Sequence, residues 1–340
     1  MIGTGGKDAL ITVIVDVVRS GVILLGVLTA FAYVTLLERR LLARFQLRVG
    51  PNRVGPLGLL QPLADGVKLI FKESFVPARA DRLVYLLAPL ITVVAALSVY
   101  AVIPIGPPVH LFGREVPLYV ADVNVGILLV LAASSLGVYG IILGGWASDN
   151  KYSLLGALRS SAQVISYELT LGLAVLGVVL VANSLSLVDI VRAQAGLWFI
   201  VKQPVAFVLF LLAGLAETNR SPFDLPEAEQ ELIAGYQTEY GGFAFAMFYL
   251  GEYVGVITMG ALTATLFFGG WQGPVLPPVL WFLIKVFAVV FVFIWVRATL
   301  PRLRYDQLMA LGWKVLLPVG LANLAVTALL VVWRGGAASP

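Results

Sequence analysis

An all-α polytopic membrane protein is the fold class this sequence predicts, and three observations predict it. Of its 340 residues, 60% are hydrophobic and 12% charged, with a mean hydropathy of +0.95; an ordinary soluble domain carries roughly 25% charged residues. The apolar residues gather in stretches of about 20, the length that crosses about 30 Å of hydrocarbon at about 1.5 Å per residue. Most of the Lys and Arg lie between those stretches. Together these exclude a water-soluble enzyme and predict a single membrane domain over residues 1–340.

Eight spans are expected, at Val13–Leu37, Val84–Ile103, Val123–Leu143, Ala162–Val181, Leu197–Ala216, Phe243–Phe267, Val279–Val296 and Val315–Val332. The opening MIGTGGKDALITVIVDVV lacks a basic leader and a small-residue cleavage site, so the first span is expected to remain. The fifth is interrupted by Lys202, Gln203 and Pro204. It either begins late, the plainer reading, or is a discontinuous helix whose freed backbone groups face protein or water. Loops 38–82, 147–161, 217–242 and 297–314 hold 16 of the 23 Lys and Arg, which places them in the cytoplasm and both termini on the periplasmic side of a bacterial inner membrane. The pI of about 9.3 then reflects insertion orientation rather than nucleic-acid binding. With no cysteine and one histidine, His110, the chain cannot hold thiolate zinc, a Cys-ligated iron-sulfur cluster or bis-His haem.

The first loop is patterned. Across Leu60–Lys72, Leu63, Val67, Ile70 and Phe71 share one helical face while Gln61, Asp65, Lys68 and Lys72 share the other. This predicts an amphipathic helix lying in the cytoplasmic interface, either a simple anchor or a doorstep beside a lateral opening for an amphiphilic ligand. Upstream, RVGPNRVGP sets Arg48 and Arg53 on rigid Gly-Pro turns, near Arg39 and Arg40. The pattern serves equally as a positive-inside loop or as a grip on an acidic partner surface.

Acids concentrate where they are costly. Residues 216–242 carry Glu217, Asp224, Glu227, Glu229, Glu231 and Glu239 against one base, Arg220, with apolar residues interleaved that imply partial burial. Glu168 and Glu252 lie within the fourth and sixth spans, roughly 12–15 Å from their cytoplasmic ends. Ionisable groups at that depth point to function, here a hydrated chain from the acidic loop through Glu217 to Glu168 and Glu252. The competing reading ties each acid to a neighbouring helix by one hydrogen bond. Lys285, in the outer half of the seventh span, either snorkels outward or serves a function. Asp16 and Arg19 suit a local ion pair, and His110 an exposed loop. Gly50, Gly55 and Gly58 are not followed by the Lys-Ser/Thr of a phosphate loop.

GLLQPLADGVKLIFKE (58–73) and PFDLPEAEQELIAG (222–235), with ASDNKYSLLGALRSSAQVISYEL from 147 and WVRATLPRLRYDQLMALGWK from 295, resemble the signatures of the membrane quinone-chamber family of respiratory complex I, the proton-pumping NADH:quinone oxidoreductase. The resemblance spans essentially the whole chain. It implies an eight-span protein without a redox centre, forming the membrane side of the quinone chamber and framing quinone entry with the first and sixth spans and the interfacial helix. It also implies chamber-lining roles for Arg220, Asp224, Glu227, Glu229 and Glu231, and proton coupling through Glu168, Glu217 and Glu252. Arg39, Arg40, Arg48 and Arg53 would lie near the junction with the hydrophilic subunits. NADH, FMN and iron-sulfur clusters would belong to partner subunits, with quinone as the substrate. The membrane anchor of an energy-converting hydrogenase, a stand-alone antiporter and an inert structural anchor are the rival expectations.

Overall fold

The computed structural model describes residues 4–111, 114–224 and 234–336. Helix α1 (Thr4–Phe45) is followed by α2 (Gln61–Phe71), α3 (Arg82–Ser98), α4 (Gly126–Ala147), α5 (Lys151–Ala182), α6 (Leu187–Arg192), α7 (Phe199–Lys202), α8 (Pro204–Glu217), α9 (Gly242–Phe267), α10 (Pro278–Thr299), α11 (Tyr305–Leu311) and α12 (Leu317–Gly336). Side chains start these helices where the sequence supplies caps. Asp81 accepts from the Leu83 and Val84 amides at the head of α3, and Asn150 accepts from Tyr152 N at the head of α5. Asn183, at φ 54°, ends α5 in the left-handed region.

Among the described residues, seven helical stretches are long and apolar enough to cross a membrane: Val13–Phe45, Arg82–Ala101, Gly126–Ala147, Lys151–Ala182, Gly242–Phe267, Pro278–Thr299 and Tyr305–Trp333. The remaining expected span, the fifth, is the shorter α8, 14 residues or about 21 Å. The protein is therefore an all-α polytopic membrane protein, as the sequence predicts. Helix α9 sits at its centre and packs against α1, α2, α3, α8 and α10, while α1 and α12 form the rim. Outside the bundle, a short antiparallel hairpin pairs Val109–Leu111 with Arg114–Val116 and sets exposed His110 opposite Glu115, 3.4 Å away.

Three boundaries differ from expectation. Helix α1 runs eight residues past Leu37, because no Gly or Pro interrupts ERRLLARF; Glu38, Arg39 and Arg40 are helical rather than in a loop. Helix α5 absorbs most of loop 147–161, starting at Lys151. The fifth span is discontinuous rather than late. One turn, α7, precedes a break at Gln203 (φ −134°, ψ 57°), where Pro204 cannot donate to a continuing helix. At the break the Gln203 side chain is tied to α12: its Nε2 donates to Thr327 Oγ1 at 2.9 Å and its Oε1 accepts from Asn323 Nδ2 at 3.4 Å.

Candidate functional site

The added turns of α1 carry Glu38 into the bundle, where it is 5% exposed. Opposite it, the turn after α8 passes through Asn219 (φ 51°) and buries Arg220. Arg220 Nε lies 3.0 Å from Glu252 Oε1 on α9, and its Nη1 lies 3.5 Å from Glu38 Oε1. Arg297, near the end of α10, also pairs with Glu38. The guanidinium of Arg220 stacks 4.1 Å from the Tyr253 ring, whose hydroxyl is 2.8 Å from that of Tyr249. Burial works against the charge of Arg220, but the Glu252 and Glu38 carboxylates outweigh it and hold its proton firmly. Two acids and two arginines thus form a charge-balanced quartet, buried at Glu38 and Arg220 and partly exposed at Arg297. Nη2 of Arg220 has no hydrogen-bond partner among the described residues.

Beside the quartet is a cavity of about 120 Å³ lined by Glu217, Glu252, Asn219, Ser134, Thr92 and Tyr236, with apolar neighbours. That is room for several waters. Glu217 hydrogen-bonds Ser134 on α4, and its Oε2 has no partner among the described residues. Glu168 is not in this cavity. It accepts from Ser135, the next residue along α4, and lines a separate apolar groove of about 550 Å³ with Gly172, Leu317 and Leu321. Glu217 and Glu252 thus share one cavity and Glu168 lines another, and adjacent Ser134 and Ser135 of α4 bond Glu217 and Glu168 respectively.

Both roots of the acidic loop are fixed. Gln163 Nε2, fully buried on α5, donates to the carbonyls of Ala216 and Phe223, each at 2.7 Å, and Leu303 N donates to Pro222 O at 3.1 Å. At the other root Gly235 (φ 53°) packs so closely on Gly156 that a Cβ there would meet it at 2.7 Å. Tyr240 stacks on Tyr85 with ring centroids 4.1 Å apart, and burial raises its phenol pKa. Asp224 is half-buried at the first root. Glu227, Glu229 and Glu231 lie outside the described residues. Glu239 leaves the acid group for the surface, accepting from Asn150 Nδ2 at 2.6 Å.

The amphipathic helix is α2, and its polar face is what holds it: Asp65 Oδ2 lies 2.6 Å from Arg39 Nη1 and its Oδ1 accepts from Gln61 at 2.9 Å. Arg39 therefore has an internal partner. Leu63, Val67, Ile70 and Phe71 turn outward and are exposed, and Lys68 and Lys72 are exposed as well. Arg48 and Arg53 also lie at the surface, among exposed Leu47, Val49 and Leu57, and Arg40 is half-buried. A Cβ on Gly58 (φ 72°) would come within 2.5 Å of Pro51 O, so this turn requires glycine.

Lys285 does not snorkel. It is 7% exposed, and its Nζ donates to the carbonyls of Phe268 (2.6 Å), Gly270 (2.8 Å) and Gln272 (2.6 Å). Asp16 and Arg19 form the expected local pair at 2.8 Å, and Arg19 also donates to Val120 O. Sequence reasoning missed Glu38 and Arg297, which sit at the ends of apolar runs and read as the first residues of loops. The unbroken helical sequence after Leu37 was the signal that could have found Glu38.

The NADH dehydrogenase family profile matches residues 18–328. The H subunit of NADH-quinone oxidoreductase from Syntrophotalea carbinolica is 56% identical over 97% of this chain and 100% of the relative. Its counterpart in Thermomicrobium roseum is 58% identical over 93% and 96%, and the second of the numbered counterparts in Geobacter sulfurreducens is 59% identical over 88% and 92%. With the fold, the quartet and its cavity in place, the matches confirm the resemblance carried by the loop signatures: the chain belongs to the NADH dehydrogenase family, among the H subunits of NADH-quinone oxidoreductase.

Proposed function

We propose that this chain forms the membrane side of the quinone chamber in an NADH-quinone oxidoreductase and couples quinone reduction to proton translocation through Glu217, Glu252 and Glu168. The observation that carries this reading is the cavity shared by Glu217 and Glu252 against the Arg220 quartet. In this reading the chain holds no redox centre. Partner subunits take electrons from NADH through FMN and iron-sulfur clusters to a quinone whose tail lies in an apolar passage of this chain. Reducing a quinone to a quinol takes two electrons and two protons, so negative charge precedes proton uptake at the head. Arg220, with one unpartnered nitrogen, and the acids at Asp224, Glu227, Glu229 and Glu231 are placed in sequence to answer that charge. A unit charge at about 10 Å acts with on the order of 1–2 kcal/mol at an effective dielectric near 20, enough to redistribute protons among nearby carboxyls. Ser134 and Ser135 carry the response on to Glu168.

Entry from lipid past α1, α2 and α9 is supported by the outward apolar face of α2 and by the ring ladder Phe245, Tyr249, Tyr253 and Phe31, with successive centroids 5.9, 4.6 and 6.1 Å apart. Docking to the hydrophilic subunits falls to Arg48 and Arg53, with Arg40 at the base of their loop. Loops rich in Lys and Arg face the cytoplasm of a bacterial inner membrane, with both termini periplasmic. The test is to assemble Glu168→Gln and Glu252→Gln complexes and measure quinone reduction and proton pumping together. Both activities fall if the reading holds, and both stay native in a correctly assembled complex if the chain is an inert anchor. Proton or cation transport by the purified chain alone also counts against it.

A further inference from the structure

The end of the bundle remote from Arg220 is built in two layers. Along α9 the last cavity-lining residue is Leu262; the next five residues, Thr263 to Phe267, have no exposed surface. There Phe207, Phe210, Phe267 and Phe268 pack edge-on or tilted with centroids 5.5–5.6 Å apart. This is an aromatic plug. Beyond it lies the ammonium of Lys285, held by three carbonyls and 4.6 Å from the Trp198 ring. Phe268, whose carbonyl binds it, is six residues past Leu262, about 9 Å along the helix.

We propose that the Lys285 ammonium, pinned by three carbonyls, closes this far end of the bundle to protons. This rests on the reading that Glu217 and Glu252 exchange protons in the cavity, since such a cavity needs an end through which protons do not escape. A hydronium crossing the plug would approach a cation in a medium of low dielectric, and the barrier adds to the dehydration cost of the aromatic layer. Gln194 stiffens the same end: its Nε2 donates to Thr265 O at 2.8 Å and its Oε1 accepts from Gly269 N at 3.0 Å. Removing the ammonium deletes the positive charge and uncovers three convergent carbonyl oxygens, and both changes favour a passing cation.

The test uses the whole oxidoreductase reconstituted in vesicles, with turnover blocked by a quinone-site inhibitor and a pH gradient imposed. Lys285→Met is expected to collapse the gradient on the order of tenfold faster than native, with NADH:quinone turnover near native when the inhibitor is omitted, and Lys285→Arg restores the slow collapse. A native collapse rate in assembled Lys285→Met overturns the proposal. So does loss of pumping without a leak, which marks Lys285 as a proton carrier. If Lys285→Met does not assemble, Lys285→Gln, which still donates to the carbonyls, decides by the same readout. Adding Glu217→Gln separates the two readings: a leak that survives it keeps the barrier role and counts against the glutamate route instead.

Discussion

Arg220 and Lys285 are both buried cations in a membrane bundle, and their neutralisation differs in kind. Arg220 is balanced by carboxylates that can gain and lose protons, beside a cavity large enough for water. Lys285 is balanced by three backbone carbonyls that cannot, beyond an aromatic plug. Burial makes both expensive. Only the first arrangement has partners that can answer a charge that appears and disappears nearby. The chemistry of the partners, rather than burial of the charge, separates a responsive site from a structural one.

The sharpest way to break this comparison is Arg220→Leu. It leaves Glu38 and Glu252 facing each other without the arginine they share, which costs about 3–5 kcal/mol; complex assembly and inhibitor-sensitive quinone reduction are expected to collapse, and Arg220→Lys to recover only part of either. Lys285→Met comes next, with a stability loss of about 2–3 kcal/mol from the lost charge-assisted bonds, seen as a lower unfolding temperature while quinone reduction per assembled complex stays near native. If Lys285→Met instead abolished reduction, the two cations would not be different in kind. Gln163→Leu removes the donor that fixes the root of the acidic loop, at about 1–3 kcal/mol for the Phe223 carbonyl left bare. It should raise the KM for quinone several-fold with a smaller change in kcat. The smallest effect is expected for Asp65→Asn, whose pair with Arg39 is partly exposed and worth about 0–1 kcal/mol; looser seating of α2 should raise the KM for long-tailed quinones more than for short-tailed ones.

The spans were legible because hydrocarbon thickness sets a length that composition alone reveals. The amphipathic helix was legible because Leu63, Val67 and Ile70 recur at helical spacing. Glu168, Glu217 and Glu252 stood out because a carboxylate in an apolar run is rare. What stayed hidden was pairing across the fold. Glu38 and Arg220 are 182 residues apart in sequence and Arg297 and Glu38 are 259 apart, and no local pattern announces such contacts. The ion pair of Arg39 was hidden for the same reason, since its partner Asp65 lies on another helix. Lys285 was ambiguous because its partners are backbone carbonyls, which carry no sequence signature at all. The break in the fifth span could be suspected from Gln203-Pro204, but whether it served an ion or the fold depended on Thr327 and Asn323, over a hundred residues away.

The account turns on Glu217, the carboxylate that shares its cavity with Glu252 and bonds Ser134, the neighbour of the Ser135 that bonds Glu168. The most direct test is the number of protons pumped per NADH oxidised by a fully assembled Glu217→Gln complex in sealed vesicles. The account predicts that this ratio drops, together with the rate of quinone reduction, while electron transfer from NADH to an artificial acceptor on the hydrophilic arm is untouched. A native ratio at a native rate contradicts it.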